Sequence, residues 1–351
     1  MSGHVLAEIQ SIIQVDVNER GFQTIPGFNL LTATAADFAA ACWNVATNSA
    51  AVGIVTGFLI PHAQPPAGET DGPLGALFLA RVLTDLGIKV VLATDSFAES
   101  ALAAGLEACH LDKSVDLVIL PGFDEAADMG PEAYRGHFAQ QAGRLTHLIA
   151  LERVGPSHTA ESVGAQIGAT AWHVEEFLRV VPVEHHDRCH TMRGRDITTT
   201  MSPAHWLFEA PLDQEPRITT IGIGDGGNEI GMGRVPWNMI RRNIFAGEIV
   251  ACRVPADFLI VCGISNWGAY GLAAGVSFLR GADLDPGLFD PERERELLRL
   301  VIARGPLVDG VTGRPTVTVD GLSFERYAEP LRQLATVITS RHSTGGNGLC
   351  L

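Results

Sequence analysis

Short apolar runs that end in glycine or proline alternate with longer segments whose apolar residues recur at helical spacing. Val5, Leu6, Ile9, Ile12 and Ile13 mark a first amphipathic helix, and a second is predicted over 35–48. A buried strand is predicted over 51–57, then a Pro-rich loop over 62–73 and a helix over 74–86 that stops at Gly87. The alternation continues with strands at 89–94, 115–120 and 147–151 and helices at 96–108 and 131–144. Beyond it the reading gives a helix at 169–181, strands at 217–223 and 258–262, and a helix at 269–279.

Strands separated by helices of this length imply right-handed crossovers. The fold class expected is therefore α/β, a mainly parallel sheet with helices on both faces. No internal repeat or low-complexity linker divides the chain, so one domain over 1–351 is expected. The polar stretch 155–216 reads as a small inserted lid or subdomain within it.

In sheets of this kind ligands collect at the carboxyl ends of the strands. The loops at those ends carry Thr56-Gly57, Thr94-Asp95, Pro121-Gly122 and Glu152-Arg153. The densest is Gly222-Ile-Gly-Asp-Gly-Gly-Asn-Glu-Ile-Gly-Met-Gly233, with six glycines around Asp225, Asn228 and Glu229. Hard cations such as Mg²⁺, Mn²⁺ or Ca²⁺ take carboxylate, amide and carbonyl oxygens, and glycine lets a backbone fold tightly enough for these to converge. The alternative is a structural turn with solvated acids. Gly222, Gly224 and Gly227 also match the letter of a dinucleotide fingerprint. Pro236 follows too soon for the helix that should receive a pyrophosphate, and Asp225 would repel it.

A second loop, Pro65-Pro-Ala-Gly-Glu-Thr-Asp-Gly-Pro73, places Glu69 and Asp71 in a stiff segment before a helix. Metal or substrate contact is one reading; a helix cap at Asp71 with Pro73 in the first turn is the other. Arg153 suits a substrate carboxylate through a two-pronged hydrogen bond, or else a salt bridge to an acid. Ser265 lies outside any nucleophile-elbow pattern, so Ser265 and Asn266 read as hydrogen-bonding groups. His185, His186, Cys189 and His190 match no common zinc spacing.

Composition narrows the partners. A formal net charge of −15 disfavours nucleic acid and anionic membrane surfaces, and lysine is confined to Lys89 and Lys113, which argues against Schiff-base catalysis. The six cysteines lack paired spacing and read as reduced thiols. No basic residue precedes Arg20, unlike a signal or transit peptide, so a cytoplasmic location is expected. Phe258 to Leu279 is too interrupted by Ser, Asn and Gly for a membrane span. The expected partner is a small molecule, with homo-oligomerisation left open.

Together, Thr56-Gly-Phe58, Gly68-Glu-Thr-Asp-Gly-Pro73, Glu152-Arg153, Met192-Arg-Gly-Arg-Asp196, the glycine block from Gly222 to Gly233, Ser265-Asn-Trp-Gly268 and Val319-Asp-Gly-Leu322 resemble the D-glutamate cyclase C-terminal-like family. Arg20-Gly21 and Asp309-Gly310 fit as well, so the resemblance spans nearly the whole chain. It implies a hydro-lyase that closes D-glutamate, or a related amino dicarboxylate, to the lactam 5-oxo-D-proline with loss of water. Such ring closure needs an activated carboxylate and a proton carrier, and a divalent metal ion suits the first need. On this reading Glu69, Asp71, Asp225, Asn228 and Glu229 surround the metal, Arg153 holds the α-carboxylate and Glu152 is the acid/base. Thr56, Arg193, Ser265 and Asn266 orient the substrate. A metal-dependent phosphohydrolase and a non-catalytic metal or amino-acid binding protein are the alternatives.

Overall fold

The computed structural model describes residues 2–209, 217–282 and 285–342. At its centre are six parallel strands: β1 (Ala51–Thr56), β2 (Lys89–Thr94), β3 (Val115–Ile119), β4 (His147–Leu151), β5 (Thr219–Gly224) and β6 (Phe258–Val261). They lie in the order β3-β2-β1-β4-β5-β6. The order reverses between β1 and β4, and such a switch point opens a crevice beyond the carboxyl ends of the strands.

Alternate strand residues serve opposite faces, as the period of two requires. Val52, Ile54, Leu92, Ile149 and Ile223 join one buried cluster, while Val55, Val91, Ala150 and Val261 join the other. The first cluster is covered by α1 (Ser2–Ile13), α2 (Asp37–Asn48), α3 (Pro73–Asp85) and α4 (Ser96–Ala108), and the second by α5 (Phe123–Ala142). The helices α6 (Ala171–Val180) and α7 (Trp237–Asn243) add Phe177, Trp237 and Ile240 to that second face. On the first face follow α8 (Ser265–Arg280), α9 (Pro291–Arg304) and α10 (Glu329–His342). The expected fold class, a parallel sheet with helices on both faces, is the one observed.

Three elements depart from expectation in ways that matter. Helix α5 begins at Phe123, before the predicted 131, because Gly130 (φ 77°) and Pro131 kink the element without ending it. Helix α8 begins at Ser265, before the predicted 269, so Ser265 and Asn266 form its first turn instead of a loop. The chain beyond 280, for which no elements were predicted, supplies α9, α10 and a two-residue hairpin pairing Val319 with Leu322. Asp320 and Gly321 form its turn with φ of 53° and 76°, the left-handed pair that an Asp-Gly hairpin favours.

The stretch 155–216 is described as far as Glu209. It lies against the glycine-rich loop, where the Gly155 N–H donates to the Asn228 carbonyl at 2.9 Å and Asn228 Nδ2 to the His190 carbonyl at 2.8 Å, and it forms one wall of the crevice. The five described cysteines are free, four of them buried; Cys350 lies outside the described residues. Among the described residues no helix is long and apolar enough to cross a membrane.

Candidate active site

The carboxyl ends of β1, β4 and β5 bring together acids that are far apart in sequence. Asp71 follows β1, Glu152 leaves β4 and Asp225 leaves β5. One carboxylate oxygen from each lies within 4.8 Å of the other two, and all three residues are buried. Glu69 and Asp320 adjoin them on the wall of a cavity of about 730 Å³ that Arg20, Glu152 and Asn228 also line.

Asp71 is fixed by a clasp between two helix N-termini. Its Oδ2 accepts the Ser265 N–H at 2.9 Å and its Oδ1 the Asn266 N–H at 2.8 Å, which satisfies the exposed first turn of α8. Asn266 returns the favour to α3: its Oδ1 accepts the Gly72 N–H at 2.9 Å and the Gly75 N–H at 2.7 Å. Its Nδ2 donates to the Thr70 carbonyl at 3.2 Å. Gly72 adopts φ 91°, and a side chain there would strike Thr56 Oγ1 at 2.6 Å and Glu152 Cβ at 2.9 Å. Asp71 therefore caps a helix, as one expectation held, but the helix is α8 and not the one that follows it.

Glu152 sits at φ 46°, a left-handed conformation that costs a residue with a side chain on the order of 1 kcal/mol. That turn sends its carboxylate into the crevice, where Ser265 Oγ donates to Oε2 at 2.6 Å. Arg153 points the other way. Its guanidinium is wholly buried, paired with Asp95, and donates to the Gly57 carbonyl at 3.0 Å and the Ser202 carbonyl at 2.8 Å. The expected grip of Arg153 on a substrate carboxylate is thus corrected: the residue ties β1, β2 and the 155–216 wall together from beneath.

Glu229 is corrected for a similar reason. Its Oε1 accepts the N–H groups of Asp225 (2.9 Å) and Gly226 (2.6 Å), and its Oε2 that of Gly227 (2.7 Å). A nest of backbone amides that could have cradled a phosphate is filled by the chain's own carboxylate. This disposes of the dinucleotide fingerprint and makes Glu229 the organiser of the loop rather than a ligand. The loop needs its glycines: a Cβ on Gly222 would lie 2.5 Å from the Ile230 carbonyl and 2.7 Å from Gly231 Cα.

The other expected residues divide. Asn228 donates to the His190 carbonyl at 2.8 Å, leaving Oδ1 without a partner, and it lines the cavity. Arg193 also lines the cavity. Thr56 is buried beneath Gly72, and Asn266 is committed to the clasp; neither lines the cavity. Of the histidine group, His185 Nδ1 lies 3.1 Å from His190 Nε2, and burial lowers His190 to about 4.

Two residues the site assignment left out now join it. Arg20 Nη1 lies 3.0 Å from Asp225 Oδ1, and its Nη2 pairs with Asp320. Asp16 holds the turn that presents Arg20 by accepting the N–H groups of Arg20 and Gly21 at 2.7 and 2.8 Å. Asp309 braces the other side, accepting from Val311, Thr312 and Gly321 N–H groups. The Asp309-Gly310 and Asp320-Gly321 dipeptides were the available signal.

Charge decides what the site can do. Glu69, Asp71, Glu152, Asp225 and Asp320 crowd together, and Arg20 forms ion pairs with two of them, Asp225 and Asp320. Burial, then the neighbouring acids Glu152 and Asp320, hold Glu69 well above the carboxylate range. Glu152 is raised by burial and then by Glu229 and Asp71. Asp225 is raised by burial against the opposing pull of Arg20. Asp71 is pushed up to about 7 by burial and Asp320. Glu69 Oε1, Asp225 Oδ2 and Asn228 Oδ1 accept no hydrogen bond, and Asp225 Oδ1 has only its ion pair with Arg20. Such a surplus of buried carboxyl oxygens is resolved by protons or by a cation. An all-oxygen donor set fits a hard divalent ion.

The profile of the D-glutamate cyclase-like, C-terminal family matches residues 9–167 and 180–335. A curated relative, the mitochondrial D-glutamate cyclase of Homo sapiens, is 28% identical over 362 residues, an alignment covering 96% of this chain and 52% of the relative. The chain thus spans about half the length of that relative.

Proposed function

Because the chain belongs to the D-glutamate cyclase-like, C-terminal family, we propose that its acid-lined crevice closes D-glutamate, or a related amino dicarboxylate, to a lactam with loss of water. The observation that carries the reading is the crowding of buried carboxyl groups beyond the strand ends, where Asp71, Glu152 and Asp225 bring oxygens within 4.8 Å of one another and Arg20 pairs with Asp225 and Asp320. Asp71, Glu152 and Asp225 would hold a divalent cation, with Asn228 Oδ1 beside them. When bound, that cation supplies Lewis acidity to the carboxylate under attack and charge relief to the departing oxygen.

The protein's own groups do the rest. In the reaction the ammonium nitrogen gives up two protons, one C–N bond forms, one C–O bond breaks, and both protons leave with that oxygen as water. Glu69 suits the carrier's role: it lines the cavity, its Oε1 is unpartnered, and burial beside other acids raises its affinity for a proton. Ser265, by donating to Glu152, keeps that carboxyl aimed. Folding the substrate so that amine and carboxyl meet supplies the proximity that ring closure needs.

The direct test is proton NMR of D- and L-glutamate with purified protein and Mn²⁺ or Mg²⁺, then with EDTA. Metal-dependent 5-oxoproline from the D enantiomer is expected. Verified metal binding with no product from either enantiomer would overturn the proposal, and hydrolysis of phosphate esters in the same preparation would favour a phosphohydrolase.

The raised acids also predict a pH dependence. A carboxyl whose folded pKa exceeds its unfolded value stabilises the fold while protonated, and that contribution is lost as pH rises through the folded pKa. For Asp71 the window runs from about 4, its unfolded value, to about 7. Metal-free protein is therefore expected to lose several degrees in Tm between pH 5 and 8. Added Mn²⁺ should raise Tm much more at pH 8 than at pH 5, where protons compete with it. Thermal melts across that range with and without EDTA would show this, and a metal effect independent of pH would contradict it.

A further inference from the structure

The cavity is larger than its proposed substrate needs. At about 730 Å³ it falls in the range of roughly 300–1,000 Å³ typical of sites that enclose drug-sized ligands, whereas glutamate has ten heavy atoms. Its lining is also mixed. Glu69, Glu152, Asn228 and Arg20 belong to it. So do Phe58, Ile60, Phe245 and Val311, of which Phe245 and Val311 are exposed apolar residues.

Two arginines complete the lining. Arg193 Nη2 donates to the Val311 carbonyl at a long 3.4 Å, and Arg195 Nη1 to the Pro61 carbonyl at 3.1 Å. Among the described residues neither has a carboxylate partner. In a chain of net charge −15, two guanidinium groups left without acids beside an apolar wall are arranged for an anion that arrives with a ligand.

Resting on the cyclase reading, we infer that the site takes a γ-glutamyl amide whose amine portion carries a second, distal anionic group, held by Arg193 and Arg195. The point of attachment follows from the chemistry. The α-nitrogen must stay free to attack. An extension on the α-carboxyl would leave the γ-carboxylate as the electrophile, whereas an extension on the γ-carbonyl becomes the leaving group. The α-nitrogen forms the lactam C–N bond, the C–N bond to the departing amine breaks, and two protons from the ammonium pass to that amine, giving 5-oxoproline and R–NH₃⁺. No co-reactant is required.

Steady-state kinetics and calorimetry with Mn²⁺-loaded protein would compare D-glutamate, unsubstituted γ-D-glutamyl amide (D-glutamine), γ-D-glutamylglycine and γ-D-glutamyl-aminomethylphosphonate. The last two separate a carboxylate from a phosphonate as the preferred anion. KM or Kd for the better of them should be at least tenfold below that of D-glutamine. The double variant R193Q/R195Q should remove this advantage with kcat little changed, the signature of lost uniform binding, while the advantage at D-glutamine was never present to lose. Equal affinity for charged and uncharged amides, or an equal loss on both in the variant, would overturn the distal subsite even if glutamate cyclises. Arginine-dependent binding of γ-D-glutamylglycine with no lactam from any compound would keep the subsite and sink the cyclase reading. Both arginines are exposed, so the variant should fold.

Discussion

Replacing Arg153 with methionine is expected to destabilise the fold by about 3–5 kcal/mol, the usual result of removing one partner from a buried ion pair. The guanidinium is wholly buried, and its loss strands Asp95, whose Oδ1 already accepts the Ser202 N–H at 2.5 Å. It also frees the Gly57 and Ser202 carbonyls from their donors. Adding Asp95→Asn should recover much of the loss, since the uncompensated charge goes while an acceptor for Ser202 remains. Denaturant melts of the two single variants and the double would measure the coupling. If Arg153→Met instead kept its stability and raised only KM, the arginine would be a substrate group and its assignment to the scaffold would be wrong.

Asp225→Asn should act in the opposite sense. The substitution keeps shape and removes one charge from five crowded carboxyl groups, and Arg20 retains Asp320. Metal-free stability is expected to hold or rise. Metal affinity should fall by more than the roughly 10–100-fold that loss of a supporting outer-shell group causes, and lactam formation should drop below detection. Calorimetry with Mn²⁺ and melts with and without the ion would follow both. Wild-type affinity in this variant would exclude Asp225 from the cation site.

The contrast between Arg153 and Arg20 shows what could be read from the sequence. The sheet, its parallel sense and the loops at its carboxyl end were legible because the strands are short apolar runs separated by helical segments, several of them stopping at glycine or proline. The acids Glu69, Asp71, Glu152 and Asp225 were legible too, since they lie directly beyond strand ends or in the stiff loop after β1. The side chains of neighbours were not. Glu152 and Arg153 are adjacent, yet a left-handed turn at Glu152 sends one into the crevice and the other into the scaffold. A spacing rule carries no sign of that turn. Glu229 looked like a ligand because it sits among glycines, but the same glycines expose three amides that its carboxylate satisfies. Arg20 and Asp320 were named only as part of a family pattern. Their partnership joins positions 300 residues apart, and no local rule links them.

The clasp between α3 and α8 has a consequence for how the molecule is made. Asp71 and Asn266 each terminate a helix whose residues belong to the other end of the chain, across a separation of 195 positions. Until Asn266 has left the ribosome and β6 has docked, the first turn of α3 lacks the side-chain oxygen that accepts the Gly75 N–H and shares that of Gly72 with Asp71. Contacts of such range are slow to form, because the entropy of closing the intervening loop is lost before any contact rewards it. The crevice therefore assembles late in folding. A nascent chain carrying the first four strands already exposes apolar sheet edge while lacking the parts that would finish its site, which makes that interval the one in which a chaperone has most to protect.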